Sequence, residues 1–302
     1  MLWICNEVDK KKCQVIFPSR DGFILEVLYE NLKSDKKLFK RLPNSVYLAT
    51  SRAVCIGASL FNEEDINYAA VFPYEGTPEN LLIERFFLGK DEIEQYDCEK
   101  FKDLVEYVRS HKEKILKRSR EIRLNYERYL LQVLDSSELI FSDFVSSGTC
   151  QMGLEKIIGR KLNGCYFVKS SDTYPDKQKL NVVSLYSEDS NVAKKQFVFE
   201  NILTDQSPSF LFFDGDKPIY AVETRTIEEI DFVSSSQDEV LKYFNEYTSL
   251  VNYLYDYEKP LIADYLLEAM GRKYTLIEDT VFKNYILHDD FCNRTMSISD
   301  CL

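Results

Sequence analysis

The segment LIFSDFVSSGT, Leu139–Thr149, runs from apolar, β-prone residues into a carboxylate, Asp143. It continues through small hydroxyl residues and a glycine towards a helix-forming stretch. A helix start carries unpaired N–H groups and the positive end of the helix dipole, so such a junction suits an anion. Ser146, Ser147 and Thr149 would add hydroxyl donors, and Gly148 would let the backbone approach a phosphate closely. Asp143 repels phosphate, so its chemistry is to accept hydrogen bonds from sugar hydroxyls or to hold a metal-bound water. Two more polar segments have the same character. Ser19-Arg20-Asp21-Gly22 follows QVIFP, and Thr50-Ser51-Arg52 follows SVYLA. Arginine forks match phosphate oxygens, and Asp21 is a carboxylate of the kind that serves as a general base. The plainer alternatives are a capped helix turn at 143–149, a local Arg20–Asp21 ion pair closing a turn, and a surface charge at Arg52.

These residues need elements that bring them together. Gln14–Pro18 and Ser45–Ala49 read as short strands. Between them Phe23–Leu32, with apolar Ile24, Val27, Leu28 and Leu32, has helical spacing. That order, repeated at Glu138–Phe141, a helix over about Cys150–Ile158 and a strand at Cys165–Val168, predicts an α/β fold with a parallel sheet. Ligands of such sheets bind at the carboxyl ends of the strands. Leu180–Tyr186 is a further candidate strand. From about Leu60 to Leu134 the pattern is helical and charged, with Thr77 as N-cap, Pro78 at the first helical position and one or two long helices over Lys100–Leu134. Phe210–Glu223 predicts a hairpin around Asp214-Gly215, and helices are expected over Gln237–Met270.

With 302 residues there is room for one large domain or two small ones, and 45% hydrophobic with 29% charged residues is globular composition. A net charge of −12 argues against general nucleic-acid binding. The one basic cluster is Lys112, Lys114, Lys117, Arg118, Arg120 and Arg123, either a solvated helix face or a surface for phosphates or an anionic membrane. No apolar run approaches the roughly 20 residues needed to cross a bilayer. Met1–Cys13 lacks the apolar core of a signal peptide, so a cytoplasmic location is expected. The eight cysteines contain no CxxC pair and the chain has two histidines, which disfavours a Cys/His zinc site and fits reduced, mostly buried thiols. His111 and His288 sit among charged neighbours and are expected at the surface, which sets hydrolase triads aside.

LIFSDFVSSGT resembles the motif with which phosphoribosyltransferases bind 5-phosphoribosyl 1-pyrophosphate (PRPP). FPSRDG lies where those enzymes have a pyrophosphate-contacting loop. Taken together, FPSRDGFILEVLYENL, VYLATSR, RLNYERYL and FSDFVSSGTCQMGLEKIIGRKLNGCYF resemble a group of bacterial proteins encoded with surface-polysaccharide genes. Its pattern runs approximately RDG, SR, ERxxYxxYL, DxGxxGTxQ and GxYF. Arg20, Asp21, Gly22, Ser51, Arg52, Asp143, Gly148, Thr149 and Gln151 match; Ser142 stands where one of two acidic residues is usual, and Val145 replaces a glycine. The likeness spans roughly Val15–Phe167, with a weaker echo in DGDKP.

The resemblance implies a modified type I phosphoribosyltransferase-like parallel sheet over residues 1–200, with a helical insertion at about 59–135. Residues 201–302 would form a C-terminal hairpin-plus-helices extension for acceptor or partner binding. It further implies a glycosyltransferase that moves 5-phosphoribose from PRPP, with Mg²⁺, onto a sugar hydroxyl of a growing, lipid-linked glycan. A phosphatase would act on the product. Membrane contact would be peripheral at most. Ser146, Ser147, Gly148 and Thr149 would take the 5-phosphate, and Gln151 would also bind PRPP. Asp143 would hold the ribose hydroxyls or a metal-bound water. Arg20 and Arg52 would face pyrophosphate, Ser19, Gly22 and Ser51 would also bind PRPP, and Asp21 would be general base or metal ligand. Three rivals remain: a haloacid-dehalogenase-type phosphatase built on FLFFDGDKP, a degenerate transferase kept as a scaffold, and a nucleotide-salvage phosphoribosyltransferase.

Overall fold

A short helix, α1 (Leu2–Val8), leads into β1 (Cys13–Pro18), α2 (Phe23–Asp35) and β2 (Asn44–Leu48). Helices α3 (Arg52–Ala58), α4 (Glu63–Ala70), α5 (Pro78–Glu84), α6 (Leu104–Ser110) and α7 (Lys112–Val133) separate β2 from β3 (Glu138–Ser146). Then come α8 (Thr149–Ile158), β4 (Asn163–Lys169), α9 (Pro175–Gln178) and β5 (Asn181–Ser187). After these stand a hairpin of β6 (Phe210–Asp214) and β7 (Lys217–Tyr220), the long α10 (Ile227–Leu250), and a second hairpin of β8 (Ile286–Asp289) and β9 (Arg294–Ser297). This computed structural model describes residues 1–35, 38–39, 41–190, 193, 199–200, 203–250 and 286–297.

The central sheet has five parallel strands in the order β2-β1-β3-β4-β5. Chain direction of travel across the sheet reverses between β1 and β3, and a crevice opens outside the carboxyl ends of two strands at such a switch point. Alternation along the strands feeds two cores. Val15, Phe17, Ile140 and Cys165 pack with Ile24, Leu28 and Tyr29 of α2 and with α1 on one face. Ile16, Leu139, Phe141 and Tyr166 pack with Val54, Ile122, Tyr126 and Leu154 of α3, α7 and α8 on the other. Each such side chain, fully buried, stabilises by about 1.5–3 kcal/mol before entropy is counted. The inserted helices have their own core around Ile66, Leu81, Tyr107 and Ile115, into which Phe291 and Cys292 of the second hairpin pack. Buried Arg85 ties that hairpin down by donating to the carbonyl oxygens of Phe72 (2.9 Å) and Phe291 (2.8 Å).

Several sequence expectations need correction. β3 does not end at Phe141 but continues to Ser146, because Ser142–Ser146 pair with Cys165–Lys169 of β4. Only Ser147 and Gly148 form the loop. His111 is buried, not exposed: Glu94 N donates to its Nε2 (3.2 Å) and its ring packs on Tyr107. The charged neighbours in sequence point elsewhere on the helix junction. Helix α1 was not legible as one. The helix expected from Gln237 begins ten residues earlier, at Ile227, and its expected continuation beyond Leu250 lies outside the described residues. Thr77 does cap α5, accepting from Asn80 N, with Pro78 at the first position. The basic cluster is largely spent within the fold. Lys112 pairs with Glu63, Lys114 donates to the Glu92 carbonyl, and Arg118 and Arg123 donate to the carbonyls of Phe87 and Ala58. Among the seven described cysteines all are free thiols and five are buried. No helix among the described residues is long and apolar enough to cross a membrane.

Candidate functional site

A cavity of about 850 Å³ opens at the carboxyl ends of β2, β1 and β3. It gathers the three polar segments singled out from the sequence: Ser19-Arg20-Asp21, Thr50-Ser51-Arg52, and Asp143 with Ser146, Ser147 and Thr149. Further wall comes from the helical insertion (Phe72, Phe87, Arg118), from α9, from Glu200, Thr204 and Ser209, and from both hairpins. Residues beyond 200 therefore complete the crevice of the sheet.

The loop after β1 is held tightly. Gly22 N donates to the Pro18 carbonyl at 2.9 Å, and a β-carbon at Gly22 would lie 2.3 Å from that oxygen, so no larger residue fits the turn. Gly22 is thus structural and does not form part of the cavity wall. Arg20 adopts a left-handed backbone (φ 70°), uncommon for a residue with a side chain. Its N–H donates to the Tyr47 hydroxyl (2.9 Å), and its carbonyl accepts from Phe23 N and Asp205 N. Strain of this kind costs about 1–3 kcal/mol and persists where surroundings enforce it. The Ser19 hydroxyl bridges to Thr50, donating to its carbonyl (2.5 Å) and accepting from its N–H (3.2 Å), so it ties two loops together. The Ser51 hydroxyl caps α3 by accepting from Val54 N. Ala49, two residues before Ser51, is clamped by the motif RLNYERYL: Tyr126 donates to its carbonyl (3.1 Å) and its N–H donates to Tyr129 (2.9 Å).

The junction after β3 leaves a helix start without a capping side chain. Gly148 is left-handed (φ 92°) and serves as N-cap of α8 with no side-chain cap, so the first N–H groups of that helix have no partner from a capping side chain. Gly148 N donates to Ser146 Oγ (3.0 Å), which bends the loop, and Ser147 Oγ lies 3.4 Å from Thr149 Oγ1. Gln151 does not face the cavity. Fully buried, it donates to the Leu162 carbonyl (3.0 Å) and accepts from Tyr166 Oη, so it fastens α8 to β4. Ser142 is also fully buried; strand alternation turns it to the face opposite Asp143, and its hydroxyl has no partner. A carboxylate at this position would therefore not stand beside that of Asp143.

The centre of the cavity is acidic. Burial, then the charge of Asp21, pushes the Asp143 carboxyl up to about 7, against hydrogen bonds from Ser146 and Phe144 N. Burial also raises Asp21, opposed by Arg20, by a hydrogen bond from Thr204 Oγ1 (3.3 Å) and by Arg52. Glu200 is raised by burial and then by Asp21 and Asp143. Three carboxyls thus compete for too little positive charge. They are hard oxygen donors of the kind Mg²⁺ takes, yet among the described residues no three acidic or other metal-binding side chains close into a group able to hold an ion. Mg²⁺ commonly binds through one or two carboxylates plus substrate phosphates, and Asp21 and Asp143 fit that mode.

Both arginines meet carboxylates of the second hairpin. Arg52 Nη2 donates to Asp289 Oδ1 (2.7 Å), and Arg20 Nη1 approaches Asp290 Oδ2 (3.4 Å) and bonds Ser209 Oγ, which in turn bonds Asp290. Arg52 remains 45% exposed and lies 5.2 Å from the ring centre of Phe291. Neither Asp289, Asp290, Ser209, Glu200 nor Thr204 was legible as a site residue. Only the adjacent pair in LHDDF hinted at a charged turn, and His288 beside it lines the cavity instead of open surface. The Asp-Gly-Asp of FLFFDGDKP lies on the exposed turn of the β6–β7 hairpin, outside the cavity. No family model and no curated protein matches this chain.

Proposed function

We propose that the protein is a PRPP-dependent phosphoribosyltransferase acting on a sugar hydroxyl of a bacterial glycan. One observation carries this reading: a single cavity holds an uncapped helix start with three hydroxyls, two arginines, and carboxylates between them. That is the charge pattern of a molecule with a phosphate at one end, a diol in the middle and a pyrophosphate at the other. The 5-phosphate would meet Ser146, Ser147, Gly148 and Thr149 through backbone N–H groups and hydroxyls. Asp143 would accept from the ribose hydroxyls, and Arg20 and Arg52 would face pyrophosphate. Mg²⁺, held by Asp143 or Asp21 together with ligand phosphates, would supply charge neutralisation of the leaving group.

In the reaction the bond from C1 of the ribose to the pyrophosphate oxygen breaks, and the pyrophosphate leaves with the electron pair. The acceptor oxygen bonds to C1 from the opposite face, inverting α to β. Asp21 takes the acceptor proton; its raised affinity for protons suits a base at neutral pH. Charge developing on the ring needs little covalent help, so positioning and electrostatics dominate. The acceptor would be a lipid-linked glycan at the cytoplasmic face of the membrane, and a phosphatase would then remove the 5-phosphate.

The test is isotope-traced transfer from labelled PRPP to glycan acceptors. Label should reach the glycan in the parent. Asp21→Asn and Asp143→Asn should each lower the rate by about a hundredfold or more, the lower range for general-base loss. Equal transfer by both variants would contradict the assignment.

A further inference from the structure

Sequence reading gave the phosphate cradle no side-chain cation, yet one is aimed at it. Lys177, in the short helix α9, is 2% exposed. Its ammonium donates to Ser147 Oγ at 3.0 Å and to Asp172 Oδ2 at 2.6 Å. It also lies 5.8 Å and 5.3 Å from the ring centres of Tyr68 and Phe72. Burying an ammonium is costly unless it is paired, and a charge retained at such a cost beside a hydroxyl loop calls for a reason. A lysine ammonium has three donors, of which these contacts use two. Lys177 and Asp172 both line the cavity, next to Ser147 and Thr149.

We propose that Lys177 is the counter-charge for the ligand's terminal phosphomonoester, held ready in the unliganded cavity by Asp172. The cradle then recognises a dianion by one buried point charge added to backbone N–H groups and hydroxyls, and Asp172 stops the lysine from swinging away. This rests on the reading that the cradle takes a phosphate, and adds which charge decides its affinity. The aromatic rings on the lysine's other side exclude water, so its attraction to phosphate is little screened.

Calorimetric titration with ribose 5-phosphate and, separately, with pyrophosphate tests the inference. Lys177→Met should weaken ribose 5-phosphate binding by about ten- to a hundredfold, the range for a lost hydrogen bond to a charged group, while pyrophosphate affinity stays within about twofold, since its arginines are elsewhere. Ribose 5-phosphate affinity within about twofold of the parent, with pyrophosphate binding intact, overturns the proposal. If Lys177→Met loses both ligands because the loop collapses, Asp172→Asn decides. It releases the lysine from its anchor and should weaken ribose 5-phosphate binding by about threefold or more, with pyrophosphate affinity within about twofold; unchanged or tighter binding overturns the proposal. A parent that binds pyrophosphate but no ribose 5-phosphate contradicts the cradle itself, and the inference falls with it.

Discussion

Under the proposed reading the two ends of the cavity would hold an anion in opposite ways. At the cradle end the positive character comes from a helix start and one buried lysine, and the loop is shaped before any ligand arrives. At the arginine end Arg20 stands on the loop after β1 and Arg52 at the first position of α3, and both are already engaged by Asp289 and Asp290 of a hairpin far along the chain. The first end is preorganised; the second must exchange carboxylates for a ligand anion, or share them with a metal. Affinity should therefore be set mainly at the cradle, and arginine-end affinity should respond to changes in the hairpin.

The difference can be broken at its stiffest point. A β-carbon at Gly148 would lie 2.4 Å from Leu180 Cδ1, on a backbone with φ of 92°. Gly148→Ala is expected to lower ribose 5-phosphate affinity by about tenfold or more and to destabilise by about 1–3 kcal/mol, with pyrophosphate affinity little changed. Calorimetry and thermal unfolding check both. A smaller effect of opposite sign is expected at the other end. Removing both hairpin charges, Asp289→Asn with Asp290→Asn, should free the arginines and tighten pyrophosphate by about threefold to tenfold. A loss of pyrophosphate affinity would mean that these carboxylates work with the ligand and not against it.

The acidic centre between the two ends gives a pH test. Asp143 titrates near 7 in the fold against 3.8 when unconstrained. The folded state therefore holds a proton that the unfolded state has released, and the group's contribution to stability falls as pH rises from about 4 to 7. Asp143→Asn should accordingly be more stable than the parent at pH 8 and lose that advantage at pH 4, measured by unfolding. Binding of Mg²⁺ and PRPP should expel the same proton, so affinity should fall by at most about tenfold per pH unit below 7. The smallest effect is expected at Gln151. Gln151→Met removes its hydrogen bonds to Leu162 and Tyr166, and should lower the melting temperature while leaving ligand affinity within about twofold.

How much of this was readable in advance follows the same division. The junction at Gly148 is contiguous, a strand, two hydroxyls, a glycine and a helix, so local rules were enough to place these elements. The parallel sheet was equally legible from alternating strand and helix patterns. The partners of Arg20 and Arg52 lie more than 180 residues away in sequence, at Ser209, Asp289 and Asp290, where no local signal marks them. Ser19, Ser51 and Gln151 were legible as part of a motif but not by task. Each carries a hydrogen-bonding side chain that the fold uses to tie loop to loop, cap a helix, or join α8 to β4. Residue type announced polarity there; only the neighbours in space decided between ligand and scaffold. Lys177 was missed for the converse reason, since a lysine in a short polar stretch reads as surface until the aromatic rings around it are seen.

If one cavity accepts phosphate and pyrophosphate at separate ends of a single molecule, PRPP with Mg²⁺ should bind it as a unit, which calorimetric titration measures. One molecule should bind per chain, and both ribose 5-phosphate and pyrophosphate should compete with it. No heat at millimolar PRPP, or failure of either half to compete, would contradict the account.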